Sequence, residues 1–160
     1  MRRVSAFLLG VVFLLASMQS ANAQTPEPKT VVRAVLFYSP TCPHCHLVIT
    51  QTLPPLFEKY GERLEMVGID ILQEEGYRLF LLALQKFGLT EGGVPFLVIG
   101  EVYLMGSKEI PEKFPGLVEE YLARGGVDWP DLPGLAEVIA AAQAASPQPT
   151  FTPAPVSSPS

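Results

Sequence analysis

Residues Val31 to Tyr38 read Val-Val-Arg-Ala-Val-Leu-Phe-Tyr, a β-branched and aromatic run with almost no polar alternation. A strand wetted on one side would alternate apolar and polar residues, so this run predicts a central strand buried on both faces. A strand of that kind needs a layer of structure above it and another below. The pattern that follows supplies them. Ser39-Pro40-Thr41 ends the strand, and a helix begins at Cys42-Pro43, with proline suited to the first turn. It runs to about Thr52, is broken or kinked at Pro54-Pro55, and continues to Tyr60-Gly61.

Leu64 to Ile71 predicts a second strand, and Glu74 to Phe87, closed by Gly88, a second helix. Tyr77, Phe80, Leu81, Leu84 and Phe87 are expected to share its buried face, with Leu79 and Leu82 at the sides. Pro95 to Ile99 and Val102 to Met105 flank Gly100-Glu101 and predict an antiparallel hairpin. A last core helix is expected over Ile110 to Arg124, started at Pro111 or restarted at Pro115 and stopped by Gly125-Gly126. The order β-α-β-α-β-β-α implies a mixed four-stranded sheet with helices on both faces, because the opening β-α-β unit forces a parallel pair and the hairpin an antiparallel one. Val127 to Gly134 and a short helix from Leu135 to Ala145 form an extension over 126–145, expected to lie back on the core through Trp129.

The ends of the chain read differently. Arg2 and Arg3 precede the apolar run Ala6 to Ala16, and Ala21-Asn22-Ala23 is a small-x-small cleavage site, so 1–23 is expected to be a cleaved signal peptide and 24–30 a linker. An uncleaved N-terminal membrane anchor is the alternative, but an 11-residue run is short of the roughly 20 needed to cross a bilayer. The protein is therefore expected outside the cytoplasm, periplasmic or secreted, where disulfides persist. At the other end, 146–160 carries Pro147, Pro149, Pro153, Pro155 and Pro159 among Ser, Thr and Ala, the composition of a flexible tail. Of the 160 residues 48% are hydrophobic, enough for one domain's core, and the formal charge of -5 offers no field for nucleic acid. A monomer is expected.

Chemistry concentrates in Cys42-Pro43-His44-Cys45, where the buried strand gives way to a helix. Two cysteines in one helical turn can close a disulfide with little backbone movement, and the N-terminal sulfur is the one that faces solvent. Cys42 is thus read as nucleophile and Cys45 as resolving thiol. Unpaired N–H groups and the helix dipole favour a Cys42 thiolate, and Pro43 and His44 tune it, His44 by adding a donor or a positive charge. His46 is a candidate for proton transfer. Far away in sequence, Gly92-Gly93-Val94-Pro95 opens the third strand, and Val94-Pro95 is read as a cis bond beside the Cys42 turn. The Val94 backbone would then be free to pair with an extended substrate peptide.

The segment from Phe37 to Cys45, taken with Val94-Pro95, resembles the thioredoxin-like superfamily over about Val31 to Arg124, a domain at 31–125. The Pro-His dipeptide and the valine before Pro95 look like the DsbA-type oxidases. The resemblance implies a three-layer thioredoxin-like fold, thiol-disulfide exchange, and roles for Cys42, His44, Cys45 and Pro95. It also implies exported cysteine-containing proteins as substrates and a membrane quinone-linked partner, DsbB-like or vitamin K epoxide reductase-like. No bound cofactor is needed beyond the redox-active Cys42–Cys45 pair. Only 24 residues separate Asp70 from Pro95, room for one helix, so the chain is closer to a minimal thioredoxin or glutaredoxin core than to DsbA with its helical insertion. Leu36 stands where such proteins often carry a buried acid, which leaves the proton of Cys45 to His46 or water.

Two other classes fit the same residues. Cys42, His44, Cys45 and His46 are all metal-ligand types, but four ligands within five residues cannot easily close a tetrahedron, no second ligand pair exists in the chain, and proline beside the sulfurs tends to exclude metal. A structural disulfide closing four residues would restrain the unfolded chain very little. The expectation is an exported thiol-disulfide oxidoreductase, more an oxidase or isomerase than a reductase fed by a membrane donor, with a Cys/His metal-binding protein or metallochaperone as the alternative class and no metal site assigned.

Overall fold

The structure is a computed structural model and describes residues 30–145. The expected signal peptide, residues 24–29 of the linker and the proline-rich tail lie outside the described residues. Four strands, β1 (Val32–Tyr38), β2 (Leu64–Asp70), β3 (Phe96–Ile99) and β4 (Val102–Met105), form one sheet in the order β2-β1-β3-β4. β1 runs parallel to β2 and antiparallel to β3, and β3 pairs antiparallel with β4. The mixed four-stranded α/β architecture follows the predicted order of elements.

β1 is the centre of the sheet and is covered on both sides. Val32, Ala34 and Leu36 face one apolar cluster, with Val48, Leu53 and Leu56 and with Ile110, Phe114 and Val118. Val35 and Phe37 face the other, with Leu79, Phe80, Ala83 and Leu84 and with Leu132, Leu135 and Ile139. The first layer comprises α1 (Pro43–Leu47), α2 (Leu53–Tyr60) and α4 (Gly106–Ala123); the second comprises α3 (Glu74–Lys86) and α5 (Leu135–Ala145). Among the described residues no helix is long and apolar enough to cross a membrane.

Four details depart from the sequence reading. Pro54-Pro55 do not break the first helix. Val48–Thr52 widens into a π turn, with the Leu53 N–H reaching the Val48 carbonyl five residues back, and α2 then carries the prolines in its opening turn, where a missing N–H costs nothing. The buried face of α3 is Gly76, Leu79, Phe80, Ala83 and Leu84, whereas Tyr77 and Leu81 are 51% and 46% exposed. Gly76 decides that rotation: a Cβ there would sit 2.1 Å from the Asp70 carbonyl oxygen, so the helix rests directly on the end of β2.

The last core helix, α4, starts at Gly106, four residues before the predicted Ile110. Its start is pinned from two sides, since Glu109 accepts the Met105 N–H at 2.9 Å and the Gly106 N–H donates to the Pro95 carbonyl at 2.8 Å. Pro111 and Pro115 sit inside it beside the buried Ile110, Phe114 and Val118 stripe, and Pro111 is exposed, so water can reach the carbonyl its missing N–H leaves free. In the extension, Val127 bridges Val32, and Leu132, Leu135 and Ile139 carry the burial. Trp129 is only partly buried and lies under the Arg33 guanidinium, 6.0 Å from the ring centre.

The orientation of α3 gives a direct test. Leu84→Ala should cost about 2–5 kcal/mol of unfolding free energy and Leu81→Gln no more than about 0.5 kcal/mol, read from urea denaturation midpoints. Equal losses would put the helix in the rotation the sequence alone suggests.

Candidate functional site

Phe37 of β1 stands opposite Phe96 of β3. Their rings pack at 6.3 Å between centroids, Phe80 of α3 lies 5.6 and 5.7 Å from them, and Tyr103 of β4 stacks on Phe96 at 5.3 Å. This cluster locks the register at the end of the sheet where β1 runs out and β3 begins. The residues next in line are therefore brought to one place: Ser39 to Cys45 from one side, Val94 and Pro95 from the other.

The turn after β1 is built from its own side chains. The Ser39 hydroxyl accepts the Thr41 N–H at 3.3 Å and meets the Thr41 hydroxyl at 3.0 Å, while the Ser39 carbonyl accepts the Cys42 N–H at 3.1 Å. Cys42 thereby becomes the N-cap of α1, in extended conformation, with Pro43 in the first turn behind it. Its sulfur takes the usual place of a capping oxygen and accepts the Cys45 N–H at 3.2 Å. The same sulfur lies 3.5 Å from the Val94 carbonyl, 52 residues further on. The Val94–Pro95 bond is cis. Among the described residues no backbone carbonyl accepts from the Val94 N–H.

The two sulfurs are unequal. Cys42 is half-buried, whereas Cys45 is 1% exposed. Burial pushes the Cys45 thiol up to about 12, the hydrogen bond with Cys42 adds to the rise, and the Ser39 backbone pulls it partly back. Both thiols are free, with the pair one helical turn apart. This arrangement suits a couple in which the outer sulfur meets a partner and the inner one stays protonated until it is used.

The other candidates are placed differently from one another. His44 is exposed and its Nδ1 lies 2.9 Å from the Ser107 hydroxyl in the first turn of α4. Among the described residues no hydrogen bond ties its ring, or that of the exposed His46, to either cysteine sulfur. Leu36 is 1% exposed in the apolar cluster beneath α1, and Ser39 is the one buried polar residue among those described. A groove of about 500 Å³ opens beside the turn, lined by His44, Val94, Met105 and Ser107 together with charged residues of α4. No group of three or more His, Cys, Asp or Glu among the described residues could hold a metal ion. Sequence reasoning missed Ser107, Met105 and Gly106. A helix predicted to begin at Ile110 left Gly106 and Ser107 in a connection and Met105 as the end of a strand, and the one available signal was Glu109, four residues past Met105, as a reciprocal cap.

No protein-family model matches the chain, and no curated protein does. One solved structure, described as "Structure of a malarial protein", aligns at 16% identity over 56% of this chain and 96% of that chain, with a TM-score of 0.39, a likeness too slight to carry an argument.

Two measurements follow from the asymmetry of the pair. In the reduced native protein, iodoacetamide should modify Cys42 at least about tenfold faster than Cys45, with Cys45 reacting fully only after unfolding. Peptide mapping by mass spectrometry reads this, and equal rates would contradict the burial of Cys45. Because the folded Cys45 thiol is raised above its unfolded value of roughly 8.5, the native state holds the proton that the unfolded chain releases. That stabilisation is fully present below about pH 8.5 and is lost as pH climbs toward the folded value. Urea unfolding of the reduced protein should therefore weaken with alkaline pH more steeply than that of Cys45→Ala.

Proposed function

We propose that the protein is an exported thiol-disulfide oxidoreductase of thioredoxin-like topology, acting on cysteine-containing proteins through Cys42 and Cys45 and working as an oxidase or isomerase. The observation that carries this reading is the convergence at one sulfur. The Cys42 Sγ caps a helix, accepts the Cys45 N–H at 3.2 Å, and lies 3.5 Å from a backbone carbonyl of a segment 52 residues away, while its partner thiol is buried. A merely structural pair needs neither the exposure difference nor the Val94 carbonyl beside the Cys42 sulfur.

In the oxidising direction a substrate thiolate attacks Cys42 of the Cys42–Cys45 disulfide. The S–S bond breaks, Cys45 leaves with the electron pair and takes up a proton, and a mixed disulfide joins substrate to Cys42. A second substrate thiolate then attacks the substrate sulfur of that bond and releases Cys42. Two electrons and two protons have passed from the substrate dithiol to the pair, and a membrane quinone-linked partner would take them up. Burial of Cys45 makes its thiolate a poor leaving group, so its departure is helped by a proton, and since among the described residues no carboxylate is buried, solvent or His46 supplies it. The Val94 backbone, whose carbonyl lies 3.5 Å from the Cys42 sulfur, would pair with an extended substrate peptide lying over Cys42. No bound cofactor enters these steps. The apolar run at Ala6 to Ala16 with its cleavage site supports a location outside the cytoplasm.

Cys45→Ala should trap exported proteins in mixed disulfides through Cys42, visible as reducible adducts on non-reducing gels, and Cys42→Ala should trap none. Stoichiometric, tight zinc or copper binding by the reduced protein without adducts would favour the metal-protein class instead. Direction is read separately: in an oxidase, reduction of the pair raises the melting temperature, and a clear fall would make the protein a reductase.

A further inference from the structure

β4 is the last strand of the sheet, and among the described residues no strand pairs with its outer edge. Exposed edges are usually blunted by a charge, a proline or a bulge. Val102-Tyr103-Leu104-Met105 has none of these, and its register against β3 runs without interruption. The direction of its backbone groups is fixed where α4 begins. The Gly106 N–H turns inward to the Pro95 carbonyl at 2.8 Å, whereas the Met105 N–H turns away and is taken by Glu109 at 2.9 Å. That direction alternates along a strand, so the N–H and carbonyl of Tyr103 point out of the sheet, as the Met105 N–H does.

Beside this edge runs a groove of about 450 Å³ between β4 and α4. Its strand wall is Val102 and Leu104, which face the α4 side of the sheet. Its helix wall is Lys113, Gly116, Leu117 and Glu120, whose spacing puts them on one face of α4. Glycine is unfavourable inside a helix, and a Cβ at 116 would meet nothing within 4 Å, so the chain's own packing does not ask for it. The bare helix surface there makes room for a side chain from outside. Glu109 and Lys113 line this groove and also the one at His44 and Val94, so the two are continuous around the start of α4.

We propose that the β4 edge and this face of α4 form a second docking groove, which takes an extended segment of the same polypeptide that presents its cysteine to Cys42. The proposal rests on the exchange reading of the Cys42/Cys45 pair. The segment adds a strand to the sheet. One of its residues exchanges two main-chain hydrogen bonds with Tyr103, and the neighbours on either side set apolar side chains against Leu104 and Leu117, over Gly116. Val94 lies beside the Cys42 sulfur, Phe96 two residues on pairs with Met105, and Tyr103 is two residues beyond, so about five extended residues separate the reacting cysteine from the paired one. Two other occupants fit less well. A second copy of the chain brings a like formal charge of -5, and the tail at 146–160, with five prolines, is short of the N–H groups a ladder uses.

Three blocked peptides and the full chain test the groove with and without the chemistry. The first carries a serine, a spacer of about four glycine and serine residues, and then Phe-Val-Phe. The second has Gly-Ser-Gly in place of Phe-Val-Phe, and the third has an N-methyl group on the central valine, which removes its ladder donor. The first peptide should slow hydrogen exchange of the Tyr103 amide at least about fivefold, and the other two should leave it unchanged. With cysteine in place of the serine, the thiolate of the first peptide attacks Cys42 of the disulfide, forms the mixed disulfide and releases the Cys45 thiolate, which takes up a proton. That step should run about tenfold faster than with the second peptide, and Gly116→Leu should bring the ratio to within about twofold. Leucine is the better helix former, so a melting temperature no lower than that of the wild type will accompany the loss. Tyr103 protection that is absent or equal with all three peptides, or a rate ratio that survives Gly116→Leu, would overturn the proposal. So would Tyr103 protection that grows with protein concentration in the absence of peptide, which gives the edge to a second copy. Failure of exchange with every cysteine peptide counts against the exchange reading alone, because the serine peptides report on the groove without sulfur.

Discussion

The pairing of Phe37 with Phe96 across β1 and β3 is the contact on which the rest of the site depends. β1 is paired along both edges and buried on both faces, so it cannot slip relative to β3 without moving every one of its side chains to the wrong layer. The Phe37, Phe80, Phe96 and Tyr103 rings fill the end of that register. What leaves the sheet there is fixed in position by a packed apolar core. Two segments far apart in sequence, one carrying the cysteines and one carrying Val94, inherit that precision without any direct bond strong enough to supply it.

On this scaffold the helix start does the chemical sorting. One residue caps α1 and must stay near the surface, whereas the residue three positions on must turn inward beneath the first turn. Cysteine at both places gives one accessible sulfur and one buried sulfur within a single turn, and the buried one keeps its proton. The helix layer also collects α4, whose beginning is tied to the same corner by the Gly106 N–H on the Pro95 carbonyl and by Ser107 on His44. The cysteine-bearing turn is therefore held by three independent elements: β1 behind it, the strand-opening loop beside it and α4 in front.

Local deviations from regular structure mark where these elements had to be reconciled. The π turn at Val48–Thr52 precedes two prolines that would otherwise end the helix more than two turns after the cysteines. Gly76 lets α3 rest on the Asp70 carbonyl, which turns Leu79 and Ala83 inward and leaves Tyr77 and Leu81 to solvent. Each lets a helix reach its layer with the sheet geometry intact.

The sequence by itself determined the order of elements, the burial of β1 on both faces, and the placement of two cysteines at a helix start, because these depend on residues close together in the chain. A continuous apolar run, a proline in a first turn and a two-residue spacing are local signals. Tertiary structure decided the rotation of α3, which turns on a close backbone approach at Gly76, and the early start of α4, which turns on a carbonyl from Pro95 and a carboxylate from Glu109. It also decided the partner of His44. Nothing near His44 in the chain points to Ser107, since only the docking of α4 against the cysteine-bearing turn brings the hydroxyl to the ring, and contacts between residues so distant leave no periodicity to read.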